Sequence, residues 1–395
     1  MHQERYISEK VAAMWNYPMM VDIHQAASTL NTVITHGISG NSIIPSDIEA
    51  LRNEAVIMKK EMAQYGEDVY SIEQAMLLLS VESIVGPYFG NNARLMDFFM
   101  GWIAHECKVF DVKEFCENPY IKNISYNNHK QGDYELRYHE MMPYELDIYD
   151  IPKHIDELNI HIPRISCFTE TFKYPVVYQN SIKSTWMSVS PNEVFTMEKP
   201  IKKAKGKVLT LGCGMGYFAY MASLKEDVES ITIVELQQDV IDLFNTFILP
   251  QFENRDKIKI IKADAIEYLK SIDDGEFDYC FADIWIGIGD VASYFAIKEI
   301  GRRLKKTMME YWIEESFGML LAGYVYIEIM KAFSDAMGIK TPDEIGIPIP
   351  EEELRTERYV KELLKNIEIT KPEHIDYYLN PKNIISLIDM TDIVY

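Results

Sequence analysis

Three glycines and one glutamate are spaced in a way that could bind a nucleoside. Gly212, Gly214 and Gly216 follow an apolar run that begins at Lys207, and a helical pattern follows them. Gly212 allows a tight turn, while Gly214 and Gly216 carry no Cβ and let a ligand approach the backbone at a helix N-terminus. Glu235 ends a second apolar run nineteen residues beyond Gly216. This spacing is typical of an acid that accepts hydrogen bonds from ribose hydroxyls, so these residues predict a nucleoside-binding site.

The elements that would position these residues alternate between strand and helix. Strands are predicted over 207–211, 231–235, 258–262 and 277–283, and helices over 218–225, 238–247 and 265–271. This alternation gives parallel strands with right-handed crossovers, and the ligand crevice of such a sheet lies at the carboxyl ends of the strands. Gly212, Glu235, Asp264 and Asp283 all fall at those ends. The sequence therefore predicts an α/β fold with a doubly wound, Rossmann-like and mostly parallel sheet.

Residues 200 to about 290 resemble the S-adenosylmethionine-binding core of class I methyltransferases. The turn from Gly212 to Gly216 matches their glycine turn, Ala263-Asp264-Ala265 matches their adenine-contacting loop, and 277–283 matches the fourth strand that leads into their active site. The resemblance implies S-adenosyl-L-methionine as the cofactor. The residues that it implies for binding this cofactor are Gly212, Cys213, Gly214, Gly216, Glu235, Leu236, Asp264, Ala265 and Asp283.

The same resemblance implies methyl transfer, with Asp283, Asn192 and Glu193 as the candidate catalytic residues. An amine acceptor must arrive unprotonated, and Asp283 is the best candidate to orient it or to take its proton. Asn192 and Glu193 precede the first strand, in a segment that folds over the cofactor in this fold class. They could equally begin a helix after Pro191. Trp285 could form one wall of the pocket or anchor the helix that follows it.

One departure from the methyltransferase pattern keeps an aminopropyltransferase open. Methyltransferases of this class usually carry an acid two positions before the first glycine, where this chain has Thr210. Spermidine-synthase-like enzymes share the fold, use decarboxylated S-adenosylmethionine and tend to lack that acid, and 264–269 resembles their corresponding loop. Against this alternative, the acidic pairs of their polyamine pocket are not readable after Asp283.

Two further interpretations of the glycine turn also stay open. A dinucleotide-dependent oxidoreductase ranks third, because the turn reads G-x-G-x-G and not the G-x-G-x-x-G typical of that class. A protein that binds S-adenosylmethionine without catalysis belongs to a different class, in which a helical N-terminal domain would carry the function.

The charge of the chain narrows the class of partner. The net charge is −22, from 61 acidic against 39 basic residues, which opposes attraction to a nucleic-acid backbone. We therefore expect a small-molecule or cationic substrate and no DNA, although a particular RNA stays open as the acceptor, and a homo-oligomer is possible. The five cysteines have no metal-ligand spacing, so we expect no metal site and reduced thiols. No secretion signal or membrane span is readable, so we expect a cytoplasmic protein.

The pattern along the chain predicts four regions. Capping signals such as Ser71-Ile-Glu-Gln74 and apolar spacings of three and four predict a helical accessory domain over 1–125. Short runs broken by prolines predict a β-containing connecting segment over 126–200, within which 134–150 is interpreted as an acidic surface stretch. The nucleoside-binding domain is predicted over 201–335, with a long helical stretch from 291 to about 336 or final strands hidden near 323–329. A C-terminal helical extension is predicted over 336–395.

Overall fold

A computed structural model describes residues 18–38, 45–64, 70–89, 92–336, 362–363 and 371–390. The α-helices are α1 (Pro18–Ile38), α2 (Ile48–Gln64), α3 (Ile72–Phe89), α4 (Ala93–Glu106), α5 (Val112–Phe115), α6 (Pro119–Asn123), α7 (Pro191–Lys203), α8 (Tyr217–Ser223), α9 (Gln238–Leu243), α10 (Ala265–Ser271), α11 (Val291–Gly301), α12 (Glu314–Ala336), α13 (Pro372–Leu379) and α14 (Pro381–Met390). The strands are β1 (Lys108–Phe110), β2 (Lys130–Gln131), β3 (Tyr134–Met141), β4 (Asp147–Ile155), β5 (Ile160–Phe168), β6 (Phe172–Gln179), β7 (Ser184–Ser188), β8 (Gly206–Leu211), β9 (Val228–Glu235), β10 (Ile258–Lys262), β11 (Tyr279–Ala282) and β12 (Met308–Tyr311).

Five parallel strands form the central sheet, in the spatial order β10-β9-β8-β11-β12. Counted from β8, this is the order 3-2-1-4-5 of a doubly wound fold, so the predicted fold class is confirmed. The chain reverses its winding direction between β8 and β11, and ligands of such sheets bind outside the carboxyl ends of the strands at this point. Every residue of β11 is buried, as expected for a parallel strand covered by helices on both faces.

The strand β12 was not predicted. The sequence pattern indicated one helical stretch from 291 to about 336, but α11 ends at Gly301 and 308–311 pairs with β11 before α12 begins. Four residues, one of them a glutamate, are too few to show a strand period, which explains the error. The segment 323–329 lies within α12, so in the described part of the chain the sheet ends at β12 without an antiparallel hairpin.

The N-terminal helices share a core with strands from further along the chain. Side chains of α1 to α4 and of β5 belong to one buried hydrophobic cluster, which includes Ile34, Leu77, Ile103, Ile162 and Ile165. β5 pairs with β1 and β4 in a three-stranded sheet. The helical region predicted over 1–125 is therefore completed by residues beyond its predicted boundary.

A second small sheet, β2-β3-β6-β7, is antiparallel and packs beside the central sheet. The stretch 134–150, interpreted from its composition as an acidic surface segment, supplies β3 and the start of β4. Tyr134, Glu135 and Leu136 are buried. Composition alone could not predict the burial of Glu135, because the carboxylate is neutralised by ion pairs with Arg137 and Lys130 that only the folded structure shows.

The C-terminal helices α13 and α14 pack against α12. Lys298 of α11, which is 5% exposed, joins this helix to α12 and α14. Its ammonium lies 2.7 Å from an oxygen of Glu314 in α12 and 2.9 Å from an oxygen of Asp389 in α14. Within the described ranges, no helix is both long enough and apolar enough to cross a membrane.

Candidate functional site

A cavity of about 310 Å³ lies at the carboxyl edge of the central sheet, where the winding reverses. The turn after β8, the ends of β9, β10 and β11, the strand β7 and the helix α7 all contribute to its lining. The cavity brings together nine of the eleven residues proposed from the sequence: Glu193, Gly212, Cys213, Gly214, Glu235, Leu236, Asp264, Ala265 and Asp283. Asn192 and Gly216 do not line it.

The three glycines of the turn all have positive φ, but the surroundings of each position differ. At Gly212 (φ 96°), a Cβ would overlap the backbone oxygen of Asp283, so this glycine lets β8 and β11 approach each other. At Gly214 (φ 52°), a Cβ would meet no atom within 4 Å, which leaves the backbone open to the cavity. At Gly216 (φ 74°), a Cβ would overlap the ring of Phe244. Gly216 therefore serves packing at the start of α8, and it does not line the cavity.

The carboxylate of Glu235 is held beside the glycine turn by two backbone donors. The Cys213 N–H donates to one oxygen at 3.1 Å and the Gln237 N–H donates to the other at 2.8 Å. Each carboxylate oxygen can accept more than one hydrogen bond, so both retain capacity for a ligand. Leu236, next along the chain, is 60% exposed and also lines the cavity.

Asp264 lies between β10 and α10 and is the N-cap residue of α10. Its Oδ1 accepts the Glu267 N–H at 3.0 Å, which caps the helix. This is a standard helix N-cap, and it occupies only part of the hydrogen-bonding capacity of the carboxylate. Asp264 and Ala265 line the cavity on the same side of β8 as Glu235, because β9 and β10 are neighbours.

Asp283 and Glu193 form an acidic pair on the other side of the cavity. Burial raises the pKa of Asp283 from 3.8 to about 7. Burial, together with the charge of Asp283, raises the pKa of Glu193 well above its usual value. Both acids are therefore harder to ionise than in water, and two acids that share a buried site in this way can take part in proton transfer.

The structure places Asn192 outside the site. Its side-chain amide donates to the Ile148 carbonyl at 3.1 Å, which ties α7 to β4. Asn192 therefore does not line the cavity, whereas its neighbours Glu193 and Met197 on the same helix do. Trp285 lines the cavity and is also a packed anchor, since its Nε1 donates to the Trp312 carbonyl at 3.2 Å.

Two residues whose side chains form hydrogen bonds at the site were missed by the sequence analysis. Trp312 follows β12, lines the cavity and donates its Nε1–H to the Thr196 hydroxyl at 2.9 Å. Recognising β12 would have revealed it. Tyr120, which is fully buried, donates its hydroxyl to the Met215 carbonyl in the glycine turn. No local pattern could have shown this contact, because the two residues are 95 positions apart.

The electrostatic character of the cavity follows from its composition. Four acids line it: Glu193, Glu235, Asp264 and Asp283. None of its described lining residues is lysine, arginine or histidine. A cavity with this lining favours a cationic ligand and disfavours a ligand group that carries a carboxylate.

Residues 193–310 match the family model of the spermine/spermidine synthase domain. No curated protein sequence matches the chain. Among solved structures, the chain is similar to a spermidine synthase from Thermotoga maritima, with 13% identity, a TM-score of 0.27, and coverage of 42% of this chain and 59% of that chain. It is also similar to a spermidine synthase in complex with the transition-state analogue AdoDATO, with 12% identity, a TM-score of 0.26, and coverage of 42% and 59%. The chain thus spans about three fifths of the length of these structures.

The match corrects the predicted function. The expectation of a methyltransferase is wrong, because the domain family that matches 193–310 is the spermine/spermidine synthase family, whose reaction was the alternative interpretation. The argument against that alternative was the lack of an acidic pair after Asp283. In the structure, Glu193 lies at the start of the matched segment and lines the same cavity as Asp283.

Proposed function

We propose that the chain is an aminopropyltransferase that moves the aminopropyl group of decarboxylated S-adenosylmethionine to an amine. The observation that carries the proposal is the cavity, whose described lining has four acids and no cationic residue and lies mostly within the segment that matches the spermine/spermidine synthase domain. The donor and acceptor are both small cations, which suits this lining.

The donors of aminopropyl transfer and of methyl transfer differ in charge. S-adenosylmethionine carries a carboxylate as well as a sulfonium and an ammonium, and this carboxylate would have no cationic partner among the described lining residues. Decarboxylated S-adenosylmethionine lacks that group and carries two positive charges. Desolvating a carboxylate without a partner costs several kcal/mol, so the cavity favours the decarboxylated form.

The residues at the glycine turn and at the ends of β9 and β10 fit the nucleoside of this donor. Glu235 would accept the ribose hydroxyls, because both of its oxygens retain capacity beyond their backbone donors. Leu236 and Ala265 would contact the adenine, and Gly214 would let the backbone approach the ligand. The donor's reacting carbon would then lie towards Asp283, on the other side of β8.

Group transfer would proceed by in-line displacement. The acceptor nitrogen forms a bond to the propyl carbon attached to sulfur, and the carbon–sulfur bond breaks with its electron pair staying on sulfur, which leaves a neutral methylthioadenosine. The acceptor must lose a proton, and Asp283 would take it from the nitrogen. Glu193 would bind the ammonium of the aminopropyl group. Trp285 and Trp312 would exclude water from the reacting atoms.

We expect the chain to bind decarboxylated S-adenosylmethionine at least about tenfold more tightly than S-adenosylmethionine, a difference of about 1.4 kcal/mol. The physical reason is the carboxylate, which meets four acids and no cationic side chain among the described lining residues. Calorimetric titration of the full chain with each nucleoside measures both affinities. Equal affinity, or a preference for S-adenosylmethionine, would remove the electrostatic basis of the proposal.

Replacing Glu235 with alanine is expected to weaken binding of the decarboxylated donor by about 1.5 to 3 kcal/mol, the range for hydrogen bonds to a charged group. Calorimetry measures the loss, and thermal melting checks that the variant folds. Glu229→Ala is the matched control, since Glu229 lies on the same strand but is exposed and outside the cavity. If the two variants bind the donor equally well, Glu235 does not bind the ribose.

A further inference from the structure

The strand order divides the cavity into two halves. Glu235 is the last residue of β9 and Asp264 follows β10, and both strands lie on one side of β8. Asp283 follows β11, on the other side of β8, and Trp312 follows the neighbouring strand β12. If the nucleoside lies over β9 and β10, as in the proposed function, then the acceptor amine lies over β11 and β12.

The acceptor half contains few acids. Of the four acids of the cavity, only Asp283 and Glu193 are in this half. The next acids along the chain are used elsewhere: Asp290 accepts the Ser293 hydroxyl at 2.7 Å, and Glu314 accepts the Lys298 ammonium at 2.7 Å. Neither lines the cavity. The ammonium of the donor and the reacting nitrogen of the acceptor therefore take both carboxyl groups, and a second ammonium on the acceptor would find no further one among the described lining residues.

Apolar side chains lie beside these acids at the ends of β11 and β12. Ile284, Trp285, Ile286 and Trp312 line the acceptor half. Ile286 is 85% exposed, although it belongs to the cavity lining. Covering such a water-exposed isoleucine with an apolar ligand group removes apolar surface from water, and this lowers the free energy of the complex.

From this arrangement we propose that the acceptor is an amine with a single ammonium group and an apolar body, such as an alkylamine, and that Ile286 contacts this body. The inference rests on the proposed function, because it assumes that an amine attacks the donor beside Asp283. It assigns acceptor specificity to the apolar segment 284–286 and to Trp312. These residues lie next to Glu193 and Asp283, which contact the donor ammonium and the reacting nitrogen.

The test compares two amines of similar length, hexylamine and 1,4-diaminobutane, with the full chain and decarboxylated S-adenosylmethionine. Release of methylthioadenosine is measured by liquid chromatography and mass spectrometry. We expect kcat/KM to be about tenfold or more higher for hexylamine, the scale of discrimination by a few apolar contacts. Equal rates, or faster reaction of the diamine, overturn this inference and leave the aminopropyltransferase standing. Failure of both amines to release methylthioadenosine overturns both proposals.

A pair of variants tests the role of Ile286. Ile286→Asp adds a carboxyl group to the acceptor half and should shift the ratio of the two kcat/KM values about fivefold towards the diamine. Ile288→Asp is the matched control, because Ile288 lies on the same segment and is 44% exposed but does not line the cavity. We expect its ratio to stay at the wild-type value. An unchanged ratio for Ile286→Asp, or the same shift in both variants, contradicts the assignment of Ile286.

Discussion

Asp283→Asn is expected to lower turnover of the aminopropyl transfer by roughly 10²- to 10⁴-fold, the scale of a positioned general base. The substitution keeps the size of the side chain and removes its ability to take the acceptor's proton. Donor affinity should change much less, because the nucleoside is held by the other half of the cavity. Single-turnover kinetics and calorimetry on one preparation measure both quantities.

The same variant should be more stable than the wild-type protein at neutral and alkaline pH. Burial raises the pKa of Asp283 from 3.8 to about 7, so the folded protein holds this proton more tightly than the unfolded chain. The stability that Asp283 contributes is therefore full below about pH 4 and is lost as the pH rises through about 7. Asparagine does not titrate, so the melting temperature of the variant relative to wild type should rise across this window.

These two effects separate a catalytic Asp283 from a structural one. A buried acid that destabilises the folded protein when it is ionised, and that is nevertheless required for turnover, is typical of an active site. The activity of the wild-type protein should also rise with pH through about 7, since only the ionised carboxylate can accept a proton. A variant that is less stable at pH 8 and fully active would show that Asp283 serves the fold alone.

Gly212→Ala is expected to lower the free energy of unfolding by about 2 to 5 kcal/mol, the sum of a strained backbone and an overlap with packed atoms. At φ 96° a Cβ would overlap the Asp283 backbone oxygen, so the backbone after β8 or after β11 would have to shift. Chemical denaturation measures the loss. Because Gly212 sets the distance between the glycine turn and Asp283, donor binding should fall as well.

Gly214→Ala is the matched control within the same turn. It also has a positive φ, of 52°, but a Cβ there meets no atom within 4 Å. We expect a loss of only about 1 kcal/mol in stability, while donor affinity falls because the new methyl group enters the space where a ligand approaches the backbone. Equal stability of the two alanine variants would contradict the close approach of β8 and β11 at Gly212.

The part of the fold that could be predicted from the sequence is the part with a strong local pattern. The first four parallel strands, the glycine turn and the acids at the strand ends follow from apolar runs and glycine positions within about eighty residues. Their order in the chain also fixes their place in a doubly wound sheet. For this reason Glu235, Asp264 and Asp283 could be proposed together before any contact was known.

The parts that could not be predicted depend on contacts between distant residues. Glu193 and Asp283 are 90 positions apart, and only the packing of α7 over the sheet brings them to one cavity. Trp312 was missed because β12 is four residues long and follows a helix that had no readable end. The choice between methyl and aminopropyl transfer depends on the charge of the whole cavity, which no single motif contains.

The measurement that tests the central claim most directly is product analysis by mass spectrometry. The full chain is incubated with hexylamine and 1,4-diaminobutane together, once with decarboxylated S-adenosylmethionine and once with S-adenosylmethionine, with Asp283→Asn as the control. Aminopropyl transfer predicts methylthioadenosine and, in equal amount, an amine heavier by one aminopropyl group, from the decarboxylated donor only. Formation of S-adenosylhomocysteine with a methylated amine, or no methylthioadenosine above a reaction without protein, would contradict the account.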